Sequence, residues 1–111
     1  MRNDIFFLYL LNKQTNKHNM KTNNCLIECH YENDILIIDN IETPLEDRGK
    51  GYARATLQYF INSNKGKQIE LHAYPQDEVT NVFKLVDFYE SFGFQVVAGS
   101  ELSGFEMVLN N

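Results

Sequence analysis

Apolar and polar positions change rhythm several times along the 111 residues of this chain. IFFLYLL (5–11) is a short apolar run and predicts an extra strand or a sticky N-terminal arm. NKQTNKHNMKTNN (12–24) is polar and aperiodic, which predicts a loop or disordered linker. CLIECHY (25–31) alternates as a strand does, END (32–34) supplies a turn, and ILIID (35–39) is an unbroken β-branched run. Such a run is expected of a central strand covered on both faces. Ala53, Leu57, Phe60 and Ile61 then fall at i, i+4, i+7 and i+8, one face of a helix from Tyr52 to Asn62. NSNKGK (62–67) ends it, with Gly66 available as a left-handed stop.

QIELHAY (68–74) alternates again and predicts a strand, and PQDEVTN (75–81) turns into a second helix. Val82, Leu85, Val86, Phe88, Tyr89 and Phe92 carry its apolar face, with Gly93 where a cap belongs. FQVVA (94–98) and FEMVL (105–109) predict two strands joined as a hairpin by GSELSG (99–104). After an optional first strand the order is β–β–α–β–α–β–β. That is a mixed α/β domain with helices packed against one sheet.

Length and composition fit this picture. A 111-residue chain that is 43% hydrophobic and 13% aromatic holds one core and one domain. Met20 is a second plausible start of the fold, so 1–19 is expected to be an N-terminal extension, a strand or disordered arm, and 20–111 the domain. A net charge of −5 argues against nucleic acid as the main ligand and suits basic partners such as amines or lysine-rich proteins. Cys25 and Cys29 on one strand stand about 13 Å apart, too far for a disulfide, and are expected to be free thiols in a reducing compartment. No apolar run approaches the roughly 20 residues that span a bilayer, and IFFLYLL lacks the flanks of a signal peptide. The expected location is cytoplasmic, with no membrane partner.

The chemistry centres on EDRGKGYARATL (46–57), where the apolar strand gives way to the helix. Gly49 and Gly51 remove side chains that would block an approach to the backbone. A helix starting near Gly51 or Tyr52 leaves its first N–H groups unpaired, and those groups with the helix dipole attract phosphate oxygens. Arg48 and Lys50 add charge. Two plainer accounts stand beside this one. The glycines can serve only a tight turn. Alternatively, the helix can begin at a Thr43 cap, with Pro44 first and Glu46 as capping-box partner, which buries both glycines in the helix at about 1 kcal/mol each. Neither a P-loop nor the GxGxxG dinucleotide fingerprint is present.

RGKGYA (48–53) resembles the Q/R-x-x-G-x-G/A motif of the GCN5-related N-acetyltransferases, the GNAT superfamily. LVDFYESFGF (85–94) resembles that family's second signature, an apolar helix ending in Tyr followed by Gly-Phe. The two occur in family order with the intervening strand in place, and the resemblance covers 25–111. Within the superfamily, IDNIET (38–43), RGKG (48–51), HAYPQD (72–77) and DFY (87–89) are similar to small phage-type acetyltransferases of the type V-A anti-CRISPR kind.

The resemblance implies a mostly antiparallel mixed sheet with splayed central strands, helices on its faces and a minimal N-terminal region. It implies acetyl-CoA as co-substrate. Pantetheine would pair with the strand edge at Ile41 and Thr43, and the pyrophosphate would sit on the amides of Arg48, Gly49, Lys50, Gly51, Tyr52 and Ala53. Tyr89 matches the usual general acid; by periodicity alone it is a core tyrosine. For the base, Glu42, Glu70, His72 and Asp39 are the candidates, with Glu42 ranked first and His72 second, and each also reads as an ordinary edge or hydrogen-bonded residue. Deprotonation through ordered water is equally compatible. The implied reaction is acetyl transfer to a primary amine, either a protein lysine, such as one on a CRISPR effector nuclease, or a small amine. A non-catalytic acyl-CoA-binding module is the alternative. The missing N-terminal region leaves the acceptor side open, which suits a protein acceptor and a monomer or homodimer.

Overall fold

The computed structural model describes residues 17–22, 25–43, 48–75 and 80–111. The run 5–11 lies outside the described residues. Among the described residues, six strands and two helices follow in chain order: β1 (Lys17–Thr22), β2 (Cys25–Glu32), β3 (Ile35–Glu42), α1 (Tyr52–Asn62), β4 (Gln68–Ala73), α2 (Val82–Glu90), β5 (Gln95–Ser100) and β6 (Gly104–Asn110). They form one sheet in the order β1-β2-β3-β4-β6-β5. Only β3 and β4 are parallel neighbours; the other pairs are antiparallel.

Local chemistry explains the joints. β2 and β3 turn through Asn33 and Asp34, both at positive φ (51° and 69°), as a two-residue hairpin of this hand requires. Asn81 opens α2, its side-chain oxygen accepting from the N–H of Phe83 (2.8 Å) and of Lys84 (3.4 Å). At the other end of α1, Asn111 donates its amide to the carbonyls of Ile61 (2.8 Å) and Asn64 (2.9 Å).

The connections β3–α1–β4 and β4–α2–β5 step the same way across the sheet. Right-handed crossovers therefore put both helices on the same face. Leu57, Phe60 and Ile61 of α1 and Val86 and Tyr89 of α2 share one core with Ile27, Leu36, Ile38, Ile69, Leu71 and Met107. Burying each such side chain is worth roughly 1.5–3 kcal/mol. Cys25 and Cys29 lie in the same layer as free, buried thiols. Burial pushes the Cys29 pKa up to about 12, with help from Asp39, so it stays an unreactive thiol.

Two expectations need correction. The stretch 12–24, expected to be loop, contains β1, which pairs with β2 from Lys17–His30 to Thr22–Cys25 and crosses the boundary placed at residue 19. An edge strand is held by backbone hydrogen bonds to one neighbour, so KHNMKT needs no apolar alternation. The strand 35–39 was expected to be covered on both faces. Leu36 and Ile38 are buried, Ile35 and Ile37 are half-buried and Asp39 is exposed, because both described helices pack on one side.

Candidate functional site

The sheet opens between β3 and β4. β2 and β3 keep register up to Cys29–Ile38 and resume it at Glu28–Asn40, so Asp39 is an extra residue on β3. A bulge of this kind bends its strand and re-aims the side chains beyond it. β3 pairs with β4 only at Leu36–Ile69, Ile37–Glu70 and Ile38–Leu71. Past the bulge the strands part, and a cleft of about 450 Å³ occupies the gap. Its lining comes from both sides of the sheet: Ile38 and Leu71 from the helix-covered side, Asp39, Asn40 and His72 from the other. The opening thus runs through the sheet.

One wall is the start of α1. Gly51 caps this helix in the left-handed conformation (φ 81°), and Gly49 is left-handed too (φ 83°). A Cβ at either would meet nothing within 4 Å, so glycine is needed for backbone shape rather than for packing. The first intrahelical bond runs from Ala55 N–H to the Gly51 carbonyl at 3.0 Å. Among the described residues, nothing accepts from the N–H of Tyr52, Ala53 or Arg54. The helix has no side-chain cap and no acidic residue in its first turn. Arg54 instead stands there, its guanidinium over the rings of Phe88 (5.2 Å) and Phe92 (4.9 Å), which ties this end of α1 to α2. The helix dipole makes this end attractive to anions, with donors that no described residue occupies.

Arg48 was expected to add charge to a phosphate. It lines the cleft, and its Nε donates to the Thr43 carbonyl at 3.1 Å, bracing the glycine loop against the end of β3. Thr43 is only 9% exposed, and its Oγ1 is buried in the cleft wall without a hydrogen-bond partner among the described residues. A buried hydroxyl left unpaired costs about 1–3 kcal/mol, so this atom fits a polar ligand in the cleft. Ile41, Gly49, Gly51, Tyr52 and Ala53 line the cleft as well. Lys50 does not, and its side chain is exposed.

The opposite wall is α2, with Leu85, Phe88 and Tyr89. Tyr89 is 8% exposed and wedged edge-on between Phe88 (5.4 Å) and Phe94 (5.9 Å). Burial, with a smaller push from Cys25, raises its pKa to about 12. Its Oη therefore keeps a proton throughout the neutral range, as a proton donor must.

The two expected bases fare differently. Glu42 is exposed, sits opposite Leu26 on the side away from both described helices, and does not line the cleft. The pleat sends it one way and its neighbours Ile41 and Thr43 the other. His72 does line the cleft, but its Nδ1 bonds to the Glu106 carboxylate and its Nε2 donates to the Ser103 carbonyl at 2.7 Å. Gly104 permits this seat, since a Cβ there would stand 2.6 Å from Nε2. Both ring nitrogens thus face acceptors, which fixes the ring at the mouth of the cleft. Among the described residues, Asp39, at the bulge, is the carboxylate that lines the cleft. His30 donates to it at 2.8 Å and bonds Glu32 at 2.7 Å. Glu32 first and Asp39 second hold the His30 pKa above its ordinary value. Among the described residues no group of His, Cys, Asp and Glu could hold a metal ion, and no helix is long and apolar enough to cross a membrane.

Parallel strands parted beside an uncapped, glycine-led helix, with a buried tyrosine opposite, define a fold class: the chain has the fold of the GNAT N-acetyltransferases. It is similar to the anti-CRISPR protein AcrVA5, at 23% identity and a TM-score of 0.69, over 84% of this chain and 97% of that one. It is also similar to a GNAT-family acetyltransferase from Bacteroides thetaiotaomicron (20% identity, TM-score 0.70, 94% of this chain and 69% of that one). The PaiA N-acetyltransferase of Thermoplasma acidophilum, solved with coenzyme A, is a third (18% identity, TM-score 0.64, 96% of this chain and 69% of that one). The sequence matches no protein-family model and no curated protein.

Proposed function

We propose that this chain is an N-acetyltransferase that uses acetyl-CoA to acetylate a primary amine, foremost a lysine on a protein. The observation that carries this is the bare N-terminus of α1, set beside a gap in the sheet with Tyr89 across from it. The N–H groups of Tyr52, Ala53 and Arg54 would hold the diphosphate, and the free β3 edge at Ile41 with the Thr43 hydroxyl would hold the pantetheine arm. Acetyl-CoA supplies an activated acetyl group as a thioester.

The chain's own groups then handle protons. A lysine with a pKa of about 10.4 arrives mostly as ammonium. Asp39, directly or through water, takes its proton, in place of the Glu42 and His72 roles expected from sequence. The neutral nitrogen would then attack the thioester carbonyl as the C–S bond breaks, Tyr89 Oη would give a proton to the departing sulfur, whose thiol pKa is about 8.5, and the second proton that the nitrogen loses would restore the tyrosine. His72, held by Glu106 and the Ser103 carbonyl, shapes the mouth.

The likeness to AcrVA5 supports a lysine of an RNA-guided nuclease as the first acceptor to try, where acetylation removes a charge that meets phosphate. The free thiols Cys25 and Cys29 fit a reducing cytoplasm. The test is calorimetry with coenzyme A, followed by mass spectrometry of a lysate incubated with the protein and labelled acetyl-CoA. Tight binding and acetyl-lysine on a protein are expected. Label only on small amines would replace the acceptor, binding without transfer would make this a non-catalytic module, and no binding would end the proposal.

A further inference from the structure

We infer that the face of the sheet opposite both described helices docks the acceptor as an extended segment with positive charge flanking the amine it offers. This rests on the acetyltransferase reading above and names the substrate class for that site.

The through-sheet opening gives the face its place. The α1 wall and the α2 wall crowd the helix-covered side of the cleft, while Asp39 and His72 border its other mouth. An acceptor that reaches the cleft from that mouth lies across the side of β2, β3, β4 and β6 that faces away from both described helices. Strand alternation and register put Glu28, Glu32, Asp39, Glu42, Glu70 and Glu106 on this side. Two histidines, His30 and His72, are their only basic company from β2 to β6, whose sequences contain no Lys or Arg. The nearest lysines by register are Lys17 and Lys21, on the β1 edge. Ile35, Ile37 and Val108 are half-buried between the carboxylates, a floor for the aliphatic stems of long cationic side chains.

Charge decides among occupants. Six carboxylates on one sheet face repel a second copy of that face, and IFFLYLL (5–11) has no charge to answer them. A segment with arginine or lysine on either side of the target answers them directly, and such complementarity steers encounter as well as fit.

The experiment uses the full chain and two fluorescent peptides blocked at both ends, each with one central lysine. One has arginine on both sides, the other serine. Anisotropy should show the arginine peptide binding at least about tenfold tighter at low salt, with the gap narrowing as salt screens it. E32Q and E70Q, both away from the cleft lining, should each weaken the arginine peptide roughly two- to fivefold and leave the serine peptide and coenzyme A unchanged. Carboxyl labelling should modify Glu32 and Glu70 in the free chain and be blocked by the arginine peptide.

Equal affinities overturn the inference, as does indifference to salt or to both substitutions. Carboxylates already shielded in the free chain, whether by a second copy or by residues 5–11, overturn it too. Coenzyme A titrated separately keeps the two readings apart. If it fails to bind while the peptide preference holds, the enzyme reading falls and the docking face stands. If it binds and flanking charge is ignored, only the docking inference falls.

Discussion

The two helices begin in opposite ways. α2 starts on Asn81 at φ −84°, whose side chain answers the N–H groups of Phe83 and Lys84. α1 starts on Gly51 at φ 81°, with no side chain to offer, and among the described residues nothing answers its first N–H groups. One end is closed for stability. The other forgoes a side-chain cap, at a cost of about 1 kcal/mol, at the edge of the cleft. α2 also takes part in the cleft, but through its flank, where Tyr89 is fixed between two rings, and not through its end.

The sharpest test of that division is Tyr89→Phe. It should lower kcat about a hundredfold or more while coenzyme A binds as before, because the ring stays and only the proton donor goes. In the wild type, the tyrosine pKa of about 12 predicts no loss of rate from its ionisation as pH rises through 9. Next comes Gly51→Ala against Gly66→Ala. Both glycines are left-handed with open space around them (φ 81° and 85°), so each substitution should cost about 1 kcal/mol of stability by denaturant melt. Only Gly51→Ala should also weaken coenzyme A, by roughly tenfold, since Gly66 lies outside the cleft lining. Equal effects on affinity would erase the contrast between the two helix ends.

Asn81→Ala should show the converse, a loss of about 1 kcal/mol with no change in coenzyme A affinity. The smallest effect belongs to His30, outside both helices. Its raised pKa means that its pairing with Glu32 and Asp39 contributes fully below about pH 6.5 and is lost as pH rises through the raised value. His30→Gln should therefore lower the melting temperature at pH 6 more than at pH 9. The difference should correspond to no more than about 1 kcal/mol, because the pair is partly exposed.

Much of this was legible in one dimension. Helical spacing located Leu57, Phe60 and Ile61 under α1 and Val86 and Tyr89 under α2, and two glycines between a strand and a helix pointed to the open end. What escaped was set by pairing across the chain. β1 is held by its partner's backbone and carries no apolar signature. The bulge at Asp39 is a mismatch between two strands, invisible in either, yet it parts β3 from β4 and leaves Asp39, not Glu42, at the cleft. His72 is engaged by Glu106 and Ser103, 34 and 31 residues away, which no local pattern encodes. The vacant Thr43 hydroxyl and the Arg48 brace appear only once the loop is folded back on the strand end.

Three paired positions are all that join the two halves of the sheet at β3 and β4. The molecule is thus a book with a short spine, and whatever lies between its pages acts as the missing binding. Saturating coenzyme A should lift the melting temperature in proportion to the logarithm of its concentration and slow amide exchange on both leaves together, even at positions it never touches.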